Sequence, residues 1–388
     1  MEFSFYSPVK VIFGQPAAAA LRAALTERAR SASPLPAASR ILLISDPGLA
    51  AVGLVDQITG SLTAAGFQVS VFAQVRGNPT VRDVEAALAV ALAADAQALV
   101  ALGGGSVIDV GKAVGLLLTH GGRYADFQWG DRPITQAAQH IPLIAVPTTA
   151  GTGSEVTQVT VIEDDETHSK RGVRSPYLFA RAAVLDPALT LSLPAHLTAA
   201  TGVDVVGHAL EAFVGRRANP ITDALALDAL RRAWRNLPCA TRQGNDLRAR
   251  EEMLAASVMA GLAFDQSGLG IIHSLAGPIA GRYALHHGLC VGLLLAAGLE
   301  YNLPALGAKR EPLLEALGMP ASIRDAEVAE RVNVWLADLN LPTRLSQLNI
   351  HNPDLTSMAQ EAARMVLLPN NPRPATADDC RQILEGVA

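Results

Sequence analysis

The stretch Thr201-Gly-Val-Asp-Val-Val-Gly-His-Ala-Leu-Glu211 sets a carboxylate and an imidazole, Asp204 and His208, four residues apart in a segment that reads as helix. At about 1.5 Å rise and 3.6 residues per turn, the two stack on one face, roughly 6 Å apart along the axis. Such a pair can hold a divalent metal, although a helical Asp-x-x-x-His is more often a solvated pair. Two histidines downstream shift that balance. His273 follows Gly268-Leu-Gly270 in an apolar helix, and His287 opens the next helix in His286-His287-Gly288. One carboxylate and three imidazoles from three helices make an oxygen–nitrogen donor set suited to Fe(II), Zn(II), Mn(II) or Co(II). The other histidines (His120, His140, His168, His196 and His351) lie in polar or loop contexts and read as solvated.

A second group of residues sits at strand ends. Leu102-Gly103-Gly104-Gly105-Ser106 runs directly into a predicted helix. Its glycines let backbone approach a ligand, and a helix N-terminus offers N–H groups and partial positive charge to a phosphate or pyrophosphate. It is not a P-loop, because Ser106 stands six before Lys112 and Ala113 follows it; nor does it fit G-x-G-x-x-G. Pro147-Thr148-Thr149-Ala150-Gly151-Thr152-Gly153-Ser154-Glu155 crowds four hydroxyls into one loop, which suits a polyhydroxylated or phosphorylated ligand as well as a solvated turn. Asp46 also ends a strand. There it either accepts from a ribose diol and repels a 2′-phosphate, or belongs to a plain Asp-Pro-Gly turn.

These residues need a scaffold. Apolar runs at Val9–Phe13, Arg40–Ser45, Phe67–Phe72, Ala98–Leu102 and Ile141–Val146 alternate with helical stretches at Pro16–Arg30, Val52–Ala65, Val81–Ala94 and Ser106–Leu118; Ser31–Ser39 reads as a surface loop. That alternation predicts a parallel sheet wrapped by helices, with ligands outside the carboxyl ends of the strands. The strand pattern stops after Leu185-Asp-Pro, and Leu189–Leu197 reads as a hinge. Helices follow at about 198–214, 220–236, 246–263, 267–280, 288–302, 323–339 and 353–366, with a last one from Ala377. The domains predicted are an α/β domain over 1–188 and an all-helical domain over 189–388.

Composition agrees with a globular enzyme: 388 residues, 50% hydrophobic and 17% charged. A net charge of −5 without a Lys/Arg run longer than two residues favours neither nucleic acid nor an anionic membrane as partner. Leu289–Leu299 is too short and glycine-broken for a span, so it reads as a core helix. Met1-Glu-Phe-Ser-Phe-Tyr6 lacks the pattern of a secretion signal, and the three separated cysteines read as thiols in a reducing compartment. Both point to the cytoplasm.

The whole chain resembles the iron-containing, group III alcohol dehydrogenases. The resemblance rests on Gly103-Gly-Gly-Ser106-Val-Ile-Asp109-Val-Gly-Lys112, the Pro147–Glu155 loop, Asp204-x3-His208-x2-Glu211, Asn219-Pro-Ile-Thr-Asp223 and His273-x13-His287-Gly288. It implies a dehydroquinate-synthase-like fold: a Rossmann-like nucleotide domain, a helical domain and an active site in the cleft between them. By the same resemblance Asp204, His208, His273 and His287 hold the metal, Fe2+ or alternatively Zn2+. The cofactor pyrophosphate lies on Gly103, Gly104, Gly105 and Ser106 with Asp109 nearby. Asn78, Thr148, Thr149, Thr152 and Lys170 match further nucleotide-contacting positions, and Leu189 and Leu193 line the adenine side. A homodimer or higher homo-oligomer, formed through the first strand, is also implied.

The expected chemistry is metal-assisted hydride transfer between NAD(H) and a small alcohol or carbonyl substrate, with Phe264 as an apolar wall and Asp46 favouring NAD over NADP. One departure stands out. The family usually has a second histidine four residues after the third ligand, between nicotinamide and substrate; here that position is Gly277. The gap leaves room for a bulkier substrate, or passes the proton to water or another group, with His286 the nearest candidate. Three rivals are a maleylacetate-reductase-like carbonyl reductase, a non-redox dehydroquinate-synthase-like enzyme, and a non-catalytic nucleotide binder.

Overall fold

The computed structural model describes residues 2–26, 35–36, 38–128, 132–135, 140–165 and 170–388, with the side chains of Lys170 and Arg171 outside the description. The chain forms two compact units. One comprises Ser7–Thr149 and Ser154–Ser192; the other comprises Met1–Tyr6, Ala150–Gly153 and Leu193–Ala388. The division falls at Ser192/Leu193, four residues after the expected one, and four residues of the threonine–glycine loop group with the helices.

The α/β unit runs β1 (Lys10–Phe13), α1 (Ala17–Thr26), β2 (Arg40–Ile44), α2 (Pro47–Ala51), α3 (Leu54–Ala64), β3 (Gln68–Phe72), α4 (Val81–Ala93), β4 (Ala98–Gly103), α5 (Gly105–His120), α6 (Tyr124–Gln128), β5 (Leu143–Pro147), β6 (Val159–Glu163), β7 (Lys170–Arg174) and β8 (Ala182–Leu185). Six strands form a parallel sheet in the order β1-β8-β5-β4-β2-β3. Strand side chains alternate between faces. Accordingly Leu42, Ile44, Leu99 and Ala101 join one core with α4 and α5, whereas Ile41, Leu43, Val100 and Leu102 join another with α1 and α3. That double burial is why these strands read as unbroken apolar runs.

The α/β unit holds two sets of elements beyond the expected ones. The expected helix over 52–65 is α3, and a short helix α2 precedes it because Asp46 caps an earlier turn: its Oδ1 accepts from Leu49 N at 3.0 Å and Pro47 fills the first helical position. The antiparallel pair β6–β7 and the separate strand β8 lie outside the expected strand set. The predicted helix beyond Thr26, and most of the loop after it, lie outside the described residues.

The helical unit holds α7 (Ala195–Val214), α8 (Pro220–Arg242), α9 (Leu247–Ser267), α10 (Ile271–Tyr283), α11 (His287–Asn302), α12 (Arg310–Ala316), α13 (Asp325–Asp338), α14 (Leu355–Ala363) and α15 (Ala377–Gly386). The short α12 is additional to the expected helices. Helix α8 also continues past the predicted end at 236, through Pro238. A proline cannot donate to the carbonyl four residues back. Here that carbonyl, Trp234 O, accepts instead from Trp335 Nε1 at 3.3 Å, and the two indoles stack at 4.2 Å.

Helix α7 is the axis of this unit, buried at every residue from Thr198 to Val214. Small residues admit its neighbours. A Cβ at Gly207 would lie 2.5 Å from Val291 Cγ1 on α11, and one at Gly288 would lie 1.9 Å from Ala200 O. Ala195–Val214 and His287–Ala305 are long and apolar enough to cross a membrane, but 94% and 67% of their apolar windows are buried inside the protein. They are core helices of this fold.

Candidate metal centre

Asp204, His208 and Glu211 occupy positions i, i+4 and i+7 on α7, hence one face. The helix α10 begins two residues before His273, and His287 opens α11. Gly288 lets that start of α11 lie directly against the α7 backbone.

The four predicted ligands converge on one atom. Asp204 Oδ1 lies 3.8 Å from His208 Nε2, 3.6 Å from His273 Nε2 and 3.8 Å from His287 Nε2. The His208 ring is clamped between Phe264 at 4.4 Å and His273 at 4.6 Å, nearly parallel to both. Side-chain exposure is 6% or less for Asp204, His208 and His273 but 42% for His287, so His287 is the solvent-facing member.

The electrostatics follow from this packing. Burial pushes the Asp204 carboxyl up, but His208, His273 and His287 outweigh it and hold the group well below the usual carboxylate range. Burial drives His208 down to about 4 despite Asp204. Burial also lowers His273, yet the nearby Asp204 and Glu211 carboxylates win and raise it to about 9.

A divalent ion fits these residues. Asp204 Oδ1 and His273 Nε2, which face each other across the cluster, are buried without a hydrogen-bond partner, an arrangement that costs several kcal/mol unless something else satisfies the groups. Asp204, His208 and His273 bring donor atoms within 4.8 Å of one another. Ligands about 2.1 Å from an ion at tetrahedral angles stand about 3.4 Å apart, close to the separations around Oδ1. One carboxylate with three imidazoles is a donor set that suits iron and zinc.

The neighbouring predictions fare differently. Phe264 stacks on His208. Gly277 lies one turn after His273 on α10, and a Cβ there would meet only Met365 Cε, at 3.5 Å. His286 is exposed and caps α11, its Nδ1 accepting from Gly288 N at 3.2 Å. Cys290 and the apolar run after it face the core beside α7. Glu211 belongs to the quoted motif but carries no role from sequence; its Oε2 lies 2.6 Å from His273 Nδ1. Its spacing from Asp204 and His208 is the signal that could have found it.

In the α/β unit, β4 ends at Gly103, in register with Pro147, and Thr148 N donates to Gly103 O at 3.1 Å. The glycine-rich turn and the Thr148–Thr149 segment therefore leave adjacent strand ends. Gly104 is the N-cap of α5 and offers no side chain to its first turn. A Cβ at Gly103 would lie 2.5 Å from Val107 Cγ2, so only glycine fits there. A Cβ at Gly104 would approach the Thr149 side chain at 3.4 Å. Ser106 Oγ donates to Gly77 O at 2.6 Å, which ties the segment carrying Asn78 to the start of α5.

Asp109 is engaged within the protein. Its Oδ1 accepts from Ser154 Oγ at 2.5 Å and its Oδ2 from Val161 N at 2.8 Å, while Lys112 Nζ donates to Ser154 Oγ, Thr157 Oγ1 and Val159 O. This network anchors the chain after Gly153 to α5. The adjacent Glu155 is buried, its Oε1 has no partner, and burial raises its carboxyl to about 7.

The middle of the predicted hydroxyl loop packs with helices instead. Gly151 N donates to Ser257 Oγ at 2.9 Å, a Cβ at Gly151 would meet Thr201 Cβ at 2.9 Å, and one at Gly153 would meet Gly261 Cα at 2.6 Å. Thr152 lies between these two glycines. Leu189 is buried in the turn Pro187–Thr190, and Leu193 O accepts from Arg250 Nη2 at 2.9 Å. Lys170 lies on β7 with its side chain outside the described residues, as is His168. One other histidine differs from expectation: His120 is half-buried at the end of α5 with both ring nitrogens near carbonyls, whereas His140 is exposed as expected, its ring stacked on Tyr177 at 5.0 Å.

Sequence comparison places this arrangement among known proteins. Residues 8–187 match the family described as iron-containing alcohol dehydrogenase, and residues 198–388 match its Fe-containing C-terminal counterpart. The chain is 35% identical over 353 residues to an NAD-dependent methanol dehydrogenase of Bacillus methanolicus, covering 90% of this chain and 92% of that one. It is 39% identical over 355 residues to a 4-hydroxybutyrate dehydrogenase of Cupriavidus necator, covering 89% and 91%. Among solved structures, sulfoacetaldehyde reductase of Bifidobacterium kashiwanohense in complex with NAD+ aligns at TM-score 0.90 and 28% identity over 100% of this chain and 99% of that one.

Proposed function

The chain belongs to the iron-containing alcohol dehydrogenase family, and from that premise we propose that Asp204, His208, His273 and His287 hold its catalytic metal. The protein is a metal-dependent oxidoreductase that transfers a hydride between NAD(H) and an alcohol or its carbonyl counterpart. The observation that carries the site reading is the single buried oxygen, Asp204 Oδ1, facing three imidazole nitrogens at 3.6–3.8 Å with no partner of its own.

The metal, iron in this reading, supplies Lewis acidity that polarises a carbonyl or lowers the pKa of an alcohol; NAD supplies the hydride acceptor. The protein's own residues do the rest. Asp204 brings a negative charge that would offset half of the ion's, and Phe264 and His273 fix the His208 ring between them. Phe264 offers an apolar wall to the substrate chain. The backbone from Gly103 to Ser106 receives the pyrophosphate at the start of α5. Gly277 has no side chain to carry a proton, which leaves that step to water or to another group such as the exposed His286. The substrate is a short alcohol or aldehyde, such as a semialdehyde, in keeping with the named activities of the 4-hydroxybutyrate and methanol dehydrogenases to which the chain is similar.

We assign the protein to the cytoplasm and to a homodimer. The dimer contact would run along the outer edge of β1, where Val11 is exposed; light scattering of the purified protein tests it. Metal analysis, followed by an NADH-absorbance screen over aldehydes, ketones and semialdehydes, tests the central reading. One metal per chain and turnover lost on chelation are expected. Full turnover by metal-free protein would overturn it.

A further inference from the structure

The third residue on the metal-facing side of α7 makes more bonds than the ligands beside it. Glu211 is 1% exposed, and its carboxylate accepts from Gly270 N at 2.9 Å, Ile272 N at 2.6 Å, His273 N at 3.4 Å and His273 Nδ1 at 2.6 Å. The first three are backbone groups at the start of α10, whose N-cap, Gly270, has no side chain to satisfy them. A Cβ at Gly270 would come within 3.1 Å of Glu211 Oε1 and 2.7 Å of Asn371 Oδ1, so this residue must be bare for both groups to reach the helix.

Asn371 completes the arrangement. Its Oδ1 accepts from Ile271 N at 3.1 Å. Its amide is oriented by a reciprocal pair with Asn302, the last residue of α11, at 2.7 and 3.1 Å. The neighbouring Asn370 donates to Ser267 O and Leu269 O, fixing the turn that leads into α10.

From this geometry we infer that Glu211 is the positioning residue for His273: one carboxylate both caps α10 and binds the ring's Nδ1–H, so that Nε2 is presented bare toward Asp204. A carboxylate behind a ligating histidine fixes the tautomer, holds the ring plane and raises the basicity of the other nitrogen. The α10 N-terminus in turn favours the negative charge on Glu211. The inference rests on the metal-centre reading above.

The test compares metal affinity of the purified full-length protein and its Glu211→Gln variant, by competition for Zn2+ against a chromophoric chelator. Glutamine keeps the shape but cannot accept three N–H groups at once. Binding 10–100-fold weaker than wild type, in a variant whose circular dichroism shows it folded, is the expected result. Equal affinity would mean that Glu211 only caps the helix, and would overturn the inference while leaving the metal centre intact. Wild-type protein that binds no zinc would overturn both. Should Glu211→Gln fail to fold, nitrogen-15 histidine spectra of zinc-loaded wild type decide: a slowly exchanging Nδ1–H on His273 supports the inference, and an Nδ1 without a proton overturns it.

Discussion

The proposed metal centre of the helical unit and the glycine-rich turn of the α/β unit are built in opposite ways. The turn is made of backbone: contiguous residues Gly103 to Ser106, a strand end and a helix start, with few side chains involved. The metal centre is made of side chains brought together from α7, α10 and α11, with the carboxylate of Glu211 behind one of them. A backbone site is determined by local chain geometry and fails when a Cβ is added. A side-chain site is determined by long-range packing and fails when one donor is removed.

The largest expected effect comes from Asp204→Ala, which removes the atom that all three histidines face. Metal affinity should fall by more than about 100-fold, beyond the range for losing an outer-shell partner, with turnover lost and NAD binding retained. Metal analysis beside NAD titration checks this; retained metal would break the contrast between the two regions.

Glu155→Gln addresses a buried carboxyl of the α/β unit whose Oε1 has no hydrogen-bond partner. Because the folded carboxyl titrates near 7 and the unfolded one near 4.5, the native state holds its proton longer. The contribution of this carboxyl to native stability is therefore fully present below about pH 4.5 and is lost progressively as pH rises through about 7. The difference amounts to about 3 kcal/mol at most. The variant should gain stability relative to wild type at pH 8 but not at pH 5, read from urea midpoints; the same difference at both would show that the charge is compensated.

Gly103→Ala should cost about 1–3 kcal/mol through the clash with Val107, and should raise KM for NAD while metal content stays constant. Thermal unfolding and cofactor kinetics check this. The smallest effect is expected at Asp46. Its Oδ1 already caps α2, so only the remaining charge discriminates against a 2′-phosphate. Asp46→Ser, which keeps a cap, should narrow the NAD/NADP preference in kcat/KM by about tenfold, or about 1.4 kcal/mol. An unchanged ratio would remove Asp46 from cofactor choice.

Much of the α/β unit is legible in the sequence because its strands are buried on both faces and so appear as short apolar runs between helices. Asp46 is ambiguous there because one residue type serves both a diol and a helix cap, and the structure shows the cap. Helix α8 is cut short at Pro238 in a sequence reading because the rule that proline ends helices cannot foresee a tryptophan one hundred residues away that satisfies the freed carbonyl. The loop over Pro147–Glu155 reads either as a ligand site or as a solvated turn, whereas Gly151 and Gly153 are small in order to touch Thr201 and Gly261. Close backbone approach and ligand approach leave the same trace in a sequence.

The sequence by itself determined the alternating α/β half, the helical half and the four metal-seeking side chains, because periodicity and residue type are local properties. Only the tertiary structure decided that those four meet at one oxygen, that Glu211 stands behind His273, and that Asn371 holds the helix carrying it. The physical reason is that each of these facts is a distance between segments far apart in the chain. Such distances are set by which helices can approach α7, and so by the small residues at Gly207 and Gly288 that let them do so.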